Sequence, residues 1–586
     1  PPRSTLFPYT TLFRSHLRWN VHGDNGSPDE RIADVVRDWN ARYAWPRLVI
    51  STTAATFREF ERRYGDKLPE YSGDYTPYWE DGAASSARET ALNRASADRL
   101  VQAEAIWSMR NLKSFPVEKA YAAWRNVMLY SEHTWGAHNS ISQPDLPFVL
   151  DQWKVKQAFA LDADRQSREL LEAALAGDPG DAVEDAVDVY NTSSSVRNSR
   201  LVTIPRELSK AGDRVLREGS PVLSQRLSSG ELVIHHGCFG GYSAARYQIT
   251  AGSPSQHMEH PVTVEGTTLV SPNLRVTLDE DTGAIRSMKY SLRRGQEVEL
   301  VQSNHLGSIN EYLYLPGSDV KNVRRNSKPR ITVKEKGPIV ASLLIEADAP
   351  GCKGLTREVR LVFGYGYEHI EIINTVDKTA VREKEGIHFG FPFNVPNGTA
   401  RMDVGWAVVR PELDQIPAAC KNWFSVQRYV DISNDNYGVL WLPLDAPLVE
   451  VGGLTANLVG SQTNPNAWIE RLEPSQSIYS WVMNNHWHTN YRAEQEGPTT
   501  FRYIIYPHPS RYYPAQVDYV AAGFCEPLVV ARAYGKAPAK ARLWLTGQSG
   551  ETVRVTALQP SDDGKAIIAR LYGAGGKEER IKLNFS

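Results

Sequence analysis

Residues 273–290 read NLRVTLDEDTGAIRSMKY. Leu274, Val276 and Leu278 alternate with Arg275 and Thr277, the chain turns at Asp281-Thr282-Gly283, and apolar spacing resumes at Ile285. A period of two sends one face of a strand into a core and the other into water, and a Gly-bearing turn between two such runs makes a hairpin. Residues 357–376, REVRLVFGYGYEHIEIINTV, repeat the device. Short strands of this kind continue to the end of the chain, so residues 181–586 are expected to form β-sandwich domains, two or more of them packed together.

Upstream of this region the period changes. Residues 85–109, SSARETALNRASADRLVQAEAIWSM, are rich in Ala, Leu, Arg and Glu, with Leu92, Ala95, Gln102, Ile106 and Met109 on one helical face. Pro116 separates this helix from VEKAYAAWRNVMLYSEH (117–133), where Val117, Tyr121, Trp124 and Met128 make a stripe. A third helix, LDQWKVKQAFALDADRQSRELLEAALAG (150–177), ends at a glycine. Residues 85–180 are therefore expected to be a three-helix bundle.

Residues 16–84 follow a third grammar. LRWN (17–20) reads as a strand that enters a Gly/Asn/Ser/Pro loop, DERIADVVRDWNARY (29–43) as a helix with Ile32, Val35, Val36 and Trp39 on one side, RLVIST (47–52) as a buried strand, and TAATFREFERRYG (53–65) as a helix stopped at Gly65. Strand, loop, helix, strand, helix is the order of a parallel α/β sheet or barrel, and this stretch is too short to close a barrel alone. The fold class expected for the whole chain is α+β and multidomain: a partial α/β barrel, a three-helix bundle and a large antiparallel β-sandwich region.

Composition bounds function loosely. The 586 residues carry a formal charge of −2, which gives no electrostatic reason to expect nucleic acid. No run of about 18 apolar residues suggests a membrane-spanning helix. Cys238, Cys352, Cys420 and Cys525 lie far apart and form neither a zinc-knuckle spacing nor a disulfide framework. Fifteen Trp and 27 Tyr supply flat rings suited either to sandwich cores or to stacking on sugars.

Four stretches hold residues able to do chemistry. In WNVHGDNGSPDE (19–30), Asp24 sits in a Gly-flanked loop after a strand, where it either reaches into a cleft or makes an Asx-turn to its own backbone. In DYTPYWEDGAASSAR (74–88), Tyr75, Tyr78, Trp79, Glu80 and Asp81 gather before a Ser-Ser helix start: an indole beside carboxylates is either a sugar subsite or a capped helix with an aromatic staple. In LYSEHTWGAHNSIS (129–142), His133 ends a helix and is either a metal ligand, with Glu132 beside it, or an ordinary hydrogen-bonding imidazole. In WVMNNHWHTNYRAEQEGPTTFRYIIYPH (481–508), His486 and His488 alternate along an expected strand, and the Asn/His/Trp cluster is suited to tying β-domains together.

In this order these segments resemble the glycoside hydrolase family 38 α-mannosidases, from about residue 18 to the end. HGDNGSPDE resembles the family's Gly-Asp loop, which implies that Asp24 is the general acid/base. DYTPYWEDGAASSARETALNR resembles the segment that places an aromatic and carboxylate by the sugar, implying substrate contacts from Trp79 and Asp81. AWRNVMLYSEHTWGAHNSIS resembles the helix ending in a His-Asp pair and implies that His133 is a zinc ligand. Thr134 stands where the family has the sugar-binding Asp. WVMNNHWHTNYRAEQEGPTTFRY is similar to the family's Asn-Asn-x-Trp-x-Thr-Asn stretch.

The resemblance implies retaining hydrolysis of α-mannosidic bonds in an oligosaccharide or glycoside. Two carboxylates act about 5 to 5.5 Å apart, and zinc is the divalent cofactor that holds sugar hydroxyls. It also implies a His-x-Asp pair and a nucleophilic Asp on barrel strands ahead of Trp19, for which this sequence shows no match. The chain as written is accordingly expected to bind zinc poorly and to be inactive while a longer parent is an enzyme. The competing expectation is a non-catalytic carbohydrate-binding or structural β-sandwich protein with a degenerate barrel. Compartment and oligomeric state are not legible. Residues 1–15, PPRSTLFPYTTLFRS, correspond codon by codon to a nucleotide string resembling a common short-read sequencing adapter, and they are expected to be a translated artefact.

Overall fold

The computed structural model describes residues 27–76, 79–194, 197–254, 258–292, 295–364, 367–455, 468–538, 543–546, 553–573 and 582–585. Pro1–Ser72 forms one compact unit and Gly73–Ser586 another. The expected strand at 17–20 and the suspected artefact at 1–15 lie outside the described residues.

The first unit holds helices α1 (Ile32–Arg42) and α2 (Thr53–Tyr64). Helix α2 starts where the Thr52 hydroxyl accepts from the Ala55 N–H at 3.2 Å, and it stops at Gly65 as expected. Residues 47–52, expected as a buried strand, pair with no strand, and Val49 and Ile50 are exposed. A strand needs a neighbour for its backbone N–H and C=O groups, and among the described residues this segment has none. The apolar side of α1 is likewise at most half-buried.

The second unit opens with a short 3-10 helix, Trp79–Ala84, and three long helices: α3 (Ala87–Arg110), α4 (Val117–Tyr130) and α5 (Pro147–Leu175). Their shared core is Leu100, Ala103, Ala120, Ala123, Val127, Ala163 and Leu170. The stripe expected on α4 is corrected here: Tyr121 and Met128 face water, while Ala120, Ala123, Val127 and Tyr130 turn inward. The small side chains of Ala120 and Ala123 let neighbouring helix backbones approach closely there, and the Tyr130 ring turns inward only at the helix end. The larger residues therefore serve the rim, where the Trp124 indole N–H donates to Glu104 at 2.6 Å.

All pairings between strands in the described residues are antiparallel. A seven-stranded sheet has its own core around Val187, Val202, Ile234 and Tyr247. The largest sheet has nine strands, at its centre Cys352–Val362, His369–Lys378, Gly497–His508 and Gly438–Pro443. It faces a five-stranded sheet whose middle strands are Glu385–Pro392 and Ser477–Asn484, and Phe391 of one reaches Trp441 and Tyr503 of the other at ring distances of 5.0 and 4.9 Å. The hairpin read at 273–290 is present: Leu274–Leu278 pairs with Ile285–Ser291, and Gly283 takes φ +73° in the turn. Helix α6 (Pro514–Cys525) covers part of the nine-stranded sheet through Val517, Val520 and Ala521.

Candidate functional site

Trp79 and His133 lie on different elements, one on the short helix before α3 and the other just past the end of α4. The fold brings their rings to a centroid distance of 6.2 Å. Trp487, from the segment after Ser477–Asn484, meets Trp79 edge-on at 5.3 Å, and His488 adjoins Trp487 at 5.1 Å. The result is an aromatic and imidazole corner assembled from three distant parts of the chain.

Residues 484–495 build this corner. Asn484 donates to the Asp81 carbonyl at 3.0 Å and accepts from the Ser85 hydroxyl at 3.0 Å. The Tyr491 hydroxyl donates to the Trp79 carbonyl at 2.7 Å, and the Gln495 amide donates to the Ala84 carbonyl at 2.8 Å. Gln495 also accepts the first N–H of α3, from Ala87, at 2.9 Å. The Ser-Ser helix start therefore does not cap itself: the Ser86 hydroxyl instead meets Tyr130 at 2.8 Å. On the other side the Trp135 N–H donates to the Asn490 carbonyl at 2.9 Å, and the Thr489 hydroxyl donates to the His138 carbonyl at 2.7 Å.

Asn485 anchors the segment: its amide donates to the carbonyls of Val381, Glu383 and Ala493 at 2.9–3.0 Å, and its oxygen accepts from the Glu385 N–H at 2.8 Å. Tying elements together is what the Asn/His/Trp cluster was expected to do. The alternating pair of histidines is corrected: the strand ends at Asn484, so His486 and His488 lie in the following loop, one buried and one exposed. Burial holds the His486 imidazole down, to about 3.

His133 is open to water, with 72% of its side chain exposed, and its Nδ1 contacts the Glu132 carboxylate. Glu132 is steadied by a residue that sequence reasoning missed. Lys156 of α5 points its amine at the carbonyls of Leu129 and Glu132, at 2.9 and 3.0 Å, and lies 3.5 Å from the Glu132 carboxylate. Burial lowers the Lys156 pKa, against the pull of Glu132. The available signal was its position on α5: Val149, Lys156, Ala160 and Ala163 share one buried face, and a lysine on such a face needs acceptors. Thr134 is half-buried and donates its hydroxyl to Glu132 at 3.2 Å.

Asp81 corrects an expectation. It is 0% exposed, so its carboxyl is enclosed by protein instead of lining an open surface. Burial raises its pKa to about 8, against the nearby backbone N–H groups of Asp81 and Gly82. Glu80, beside it, is raised to about 7 by burial and by the charge of Asp74, with Ser425 opposing. Gly82 shows how tight this wall is, since a Cβ there would sit 2.3 Å from the Tyr491 ring and 2.8 Å from Trp135. Asp24 lies outside the described residues.

A zinc ion takes three or four protein ligands. Among the described residues no group of three His, Cys, Asp or Glu side chains is placed to hold a metal. His133 with Glu132 thus falls short of a site, and the described residues do not by themselves fit zinc. No described helix is long and apolar enough to cross a membrane.

The unit Gly73–Ser586 combines a helical bundle with large antiparallel sheets, and the chain shares its fold with solved structures. An alpha-mannosidase from Enterococcus faecalis V583 superposes with a TM-score of 0.64 at 15% identity, over 96% of this chain and 71% of that one. A glycosyl hydrolase family 38 protein from Enterococcus faecalis gives 0.66 at 14% identity, over 95% and 72%. No curated protein matches the chain. Residues 269–443 match the glycosyl hydrolases family 38 C-terminal domain.

Proposed function

We propose that this chain is the bundle and β-region of an α-mannosidase-like retaining glycoside hydrolase. The observation that carries the reading is the meeting of Trp79 and His133 at 6.2 Å, held by residues 484–495. An indole in such a corner covers the apolar face of a hexose while imidazole and carboxylate groups address its hydroxyls. In this reading Trp79 and Thr134 contact the sugar, Asp24 serves as general acid/base, and Asp81 stiffens the wall behind Trp79. His133 is the ligand this chain contributes toward zinc, and the 586-residue chain alone turns over little or no substrate.

The second reading, a non-catalytic carbohydrate-binding protein, is favoured by Thr134, whose hydroxyl is spent on Glu132. Hydrolysis of an aryl α-mannoside separates the two, measured on the 586-residue chain and on the intact open reading frame, with and without a chelator. The proposal expects turnover by the intact protein, lost on chelation and reduced at least tenfold by Trp79→Ala. An inactive intact protein would sink the enzyme reading, and turnover indifferent to chelator would sink the role of zinc.

A further inference from the structure

Away from the Trp79 and His133 corner, α3 and the end of α4 stand off from the β-region across a cleft of about 400 Å³, within the range of small-molecule sites. Its lining includes Asn93, Asp98, Arg99, Arg428, Arg502 and Phe524. The arginine charges are already paired, and only Arg428 keeps an unspent donor, its Nη1, buried without a hydrogen bond among the described residues. Arg99 donates to Asp164 at 3.0 Å and to Ser167 at 2.7 Å, and Arg502 forms a two-pronged pair with Asp445 at 2.9 and 2.7 Å. Arg428 lies over the Trp406 ring at 4.2 Å and within 3.8 Å of Asp518 and 3.7 Å of Glu526. Arg94, also on this wall, donates to four backbone carbonyls, those of Val426, Gln427, Pro443 and Leu444.

Asp98 differs from them. Among the described residues no group donates a hydrogen bond to its carboxyl, although Arg428, Arg94 and Arg554 all act on it through charge. On the same cleft wall Asn93, itself 7% exposed, gives its amide to Ser131 at 3.0 Å and leaves its carbonyl oxygen without a hydrogen bond. The cleft thus offers unmatched acceptors and an apolar side made by Phe524, Leu444 and Val127, with its positive charges already balanced. An anion would meet Asp98 and find the cations engaged, and a cation would meet the arginines. A neutral molecule bearing several hydroxyls satisfies both constraints, since a hydroxyl donates to a carboxylate and accepts from a guanidinium edge.

We propose that this cleft is a second ligand site, distinct from the Trp79 and His133 corner, that binds a neutral polyhydroxylated molecule of monosaccharide size, with Asp98 accepting its hydroxyl hydrogen bonds.

The test is saturation-transfer NMR on the 586-residue chain carrying Trp79→Ala, titrated with methyl α-mannoside, methyl β-galactoside and inorganic phosphate. At least one glycoside should bind saturably and phosphate should not. Asp98→Asn should weaken that binding at least tenfold, and Ala95→Trp, which fills the cleft from α3, should abolish it. Asp151→Asn, an exposed α5 carboxylate, should change nothing. Thermal unfolding of each variant reports its folding, and if Ala95→Trp does not fold, Asp98→Asn decides alone. No saturable glycoside binding, binding indifferent to Asp98→Asn, or displacement of the glycoside by phosphate would overturn the proposal. Because the readout is binding in a Trp79→Ala background, its failure leaves the hydrolase reading standing.

Discussion

The two walls of the candidate site are gripped by the same segment, residues 484–495, yet they meet water in opposite ways. On the Trp79–Ala84 wall Asp81 is sealed and its neighbour Glu80 half-buried, and both acids are driven toward their neutral forms. Across from it the His133 side chain is mostly exposed, with its Nδ1 on the Glu132 carboxylate and the Glu132 carbonyl held by Lys156 of α5. Burial makes the first wall a stiff, low-dielectric backing. Exposure leaves the second free to present a ligand. The carboxylate read in the sequence as a sugar contact is part of the backing, and the imidazole is what faces outward.

If one clamp really holds both walls, removing its anchor should loosen both. Asn485→Ala deletes four hydrogen bonds and strands two buried groups, the Ala493 carbonyl and the Glu385 N–H, besides the less buried carbonyls of Val381 and Glu383. Each buried orphan costs about 1–3 kcal/mol before relaxation, so a loss of about 3–5 kcal/mol is expected, read from chemical denaturation. Hydrogen exchange should quicken at both 79–84 and 133–138. Quickening at one wall alone would mean that the walls are held independently.

The next change addresses the exposed wall by itself. Lys156→Met keeps the apolar stem but removes the amine from the carbonyls of Leu129 and Glu132. Hydrogen bonds from a charged donor are worth about 1.5–3 kcal/mol, so stability should fall by about 2 kcal/mol. Hydrogen exchange should rise over 129–135 while 79–84 stays protected. Protection lost equally on both walls would contradict the division drawn here.

Much of this architecture was legible because its signals are local. The alternation at 274–278, the glycine of the turn at 283 and the helical character of 85–109, 117–130 and 150–175 all operate within a few residues, and the structure follows them. The clamp was not legible in the same way. Asn484 and Ser85, or Gln495 and Ala87, are some four hundred positions apart, and neither partner carries a pattern naming the other. The same reason accounts for the errors on α4 and at 47–52. Which stripe of a helix turns inward depends on how closely its neighbours pack, and a strand exists only if another lies beside it. Trp79 and His133 were individually legible as residue types. That they meet was not.

The smallest effect tests the sealed wall through protons. A carboxyl whose pKa is higher folded than unfolded binds more protons in the native state, so stability falls as pH rises from the unfolded value toward the folded one. For Asp81 that window runs from near 3.8 to about 8, and for Glu80 from near 4.5 to about 7. Asp81→Asn keeps the shape and removes the ionisation. Relative to wild type, it should raise the melting temperature above pH 8 by on the order of 2 °C, with the gain shrinking as pH falls and gone near pH 4. Glu80→Gln should show the same trend over its narrower window and by less, because part of Glu80 reaches solvent. A gain that grows toward acid pH would mean that these carboxylates are stabilised as anions. The Trp79 wall would then be a charged surface like its partner, and the contrast between the two walls would disappear.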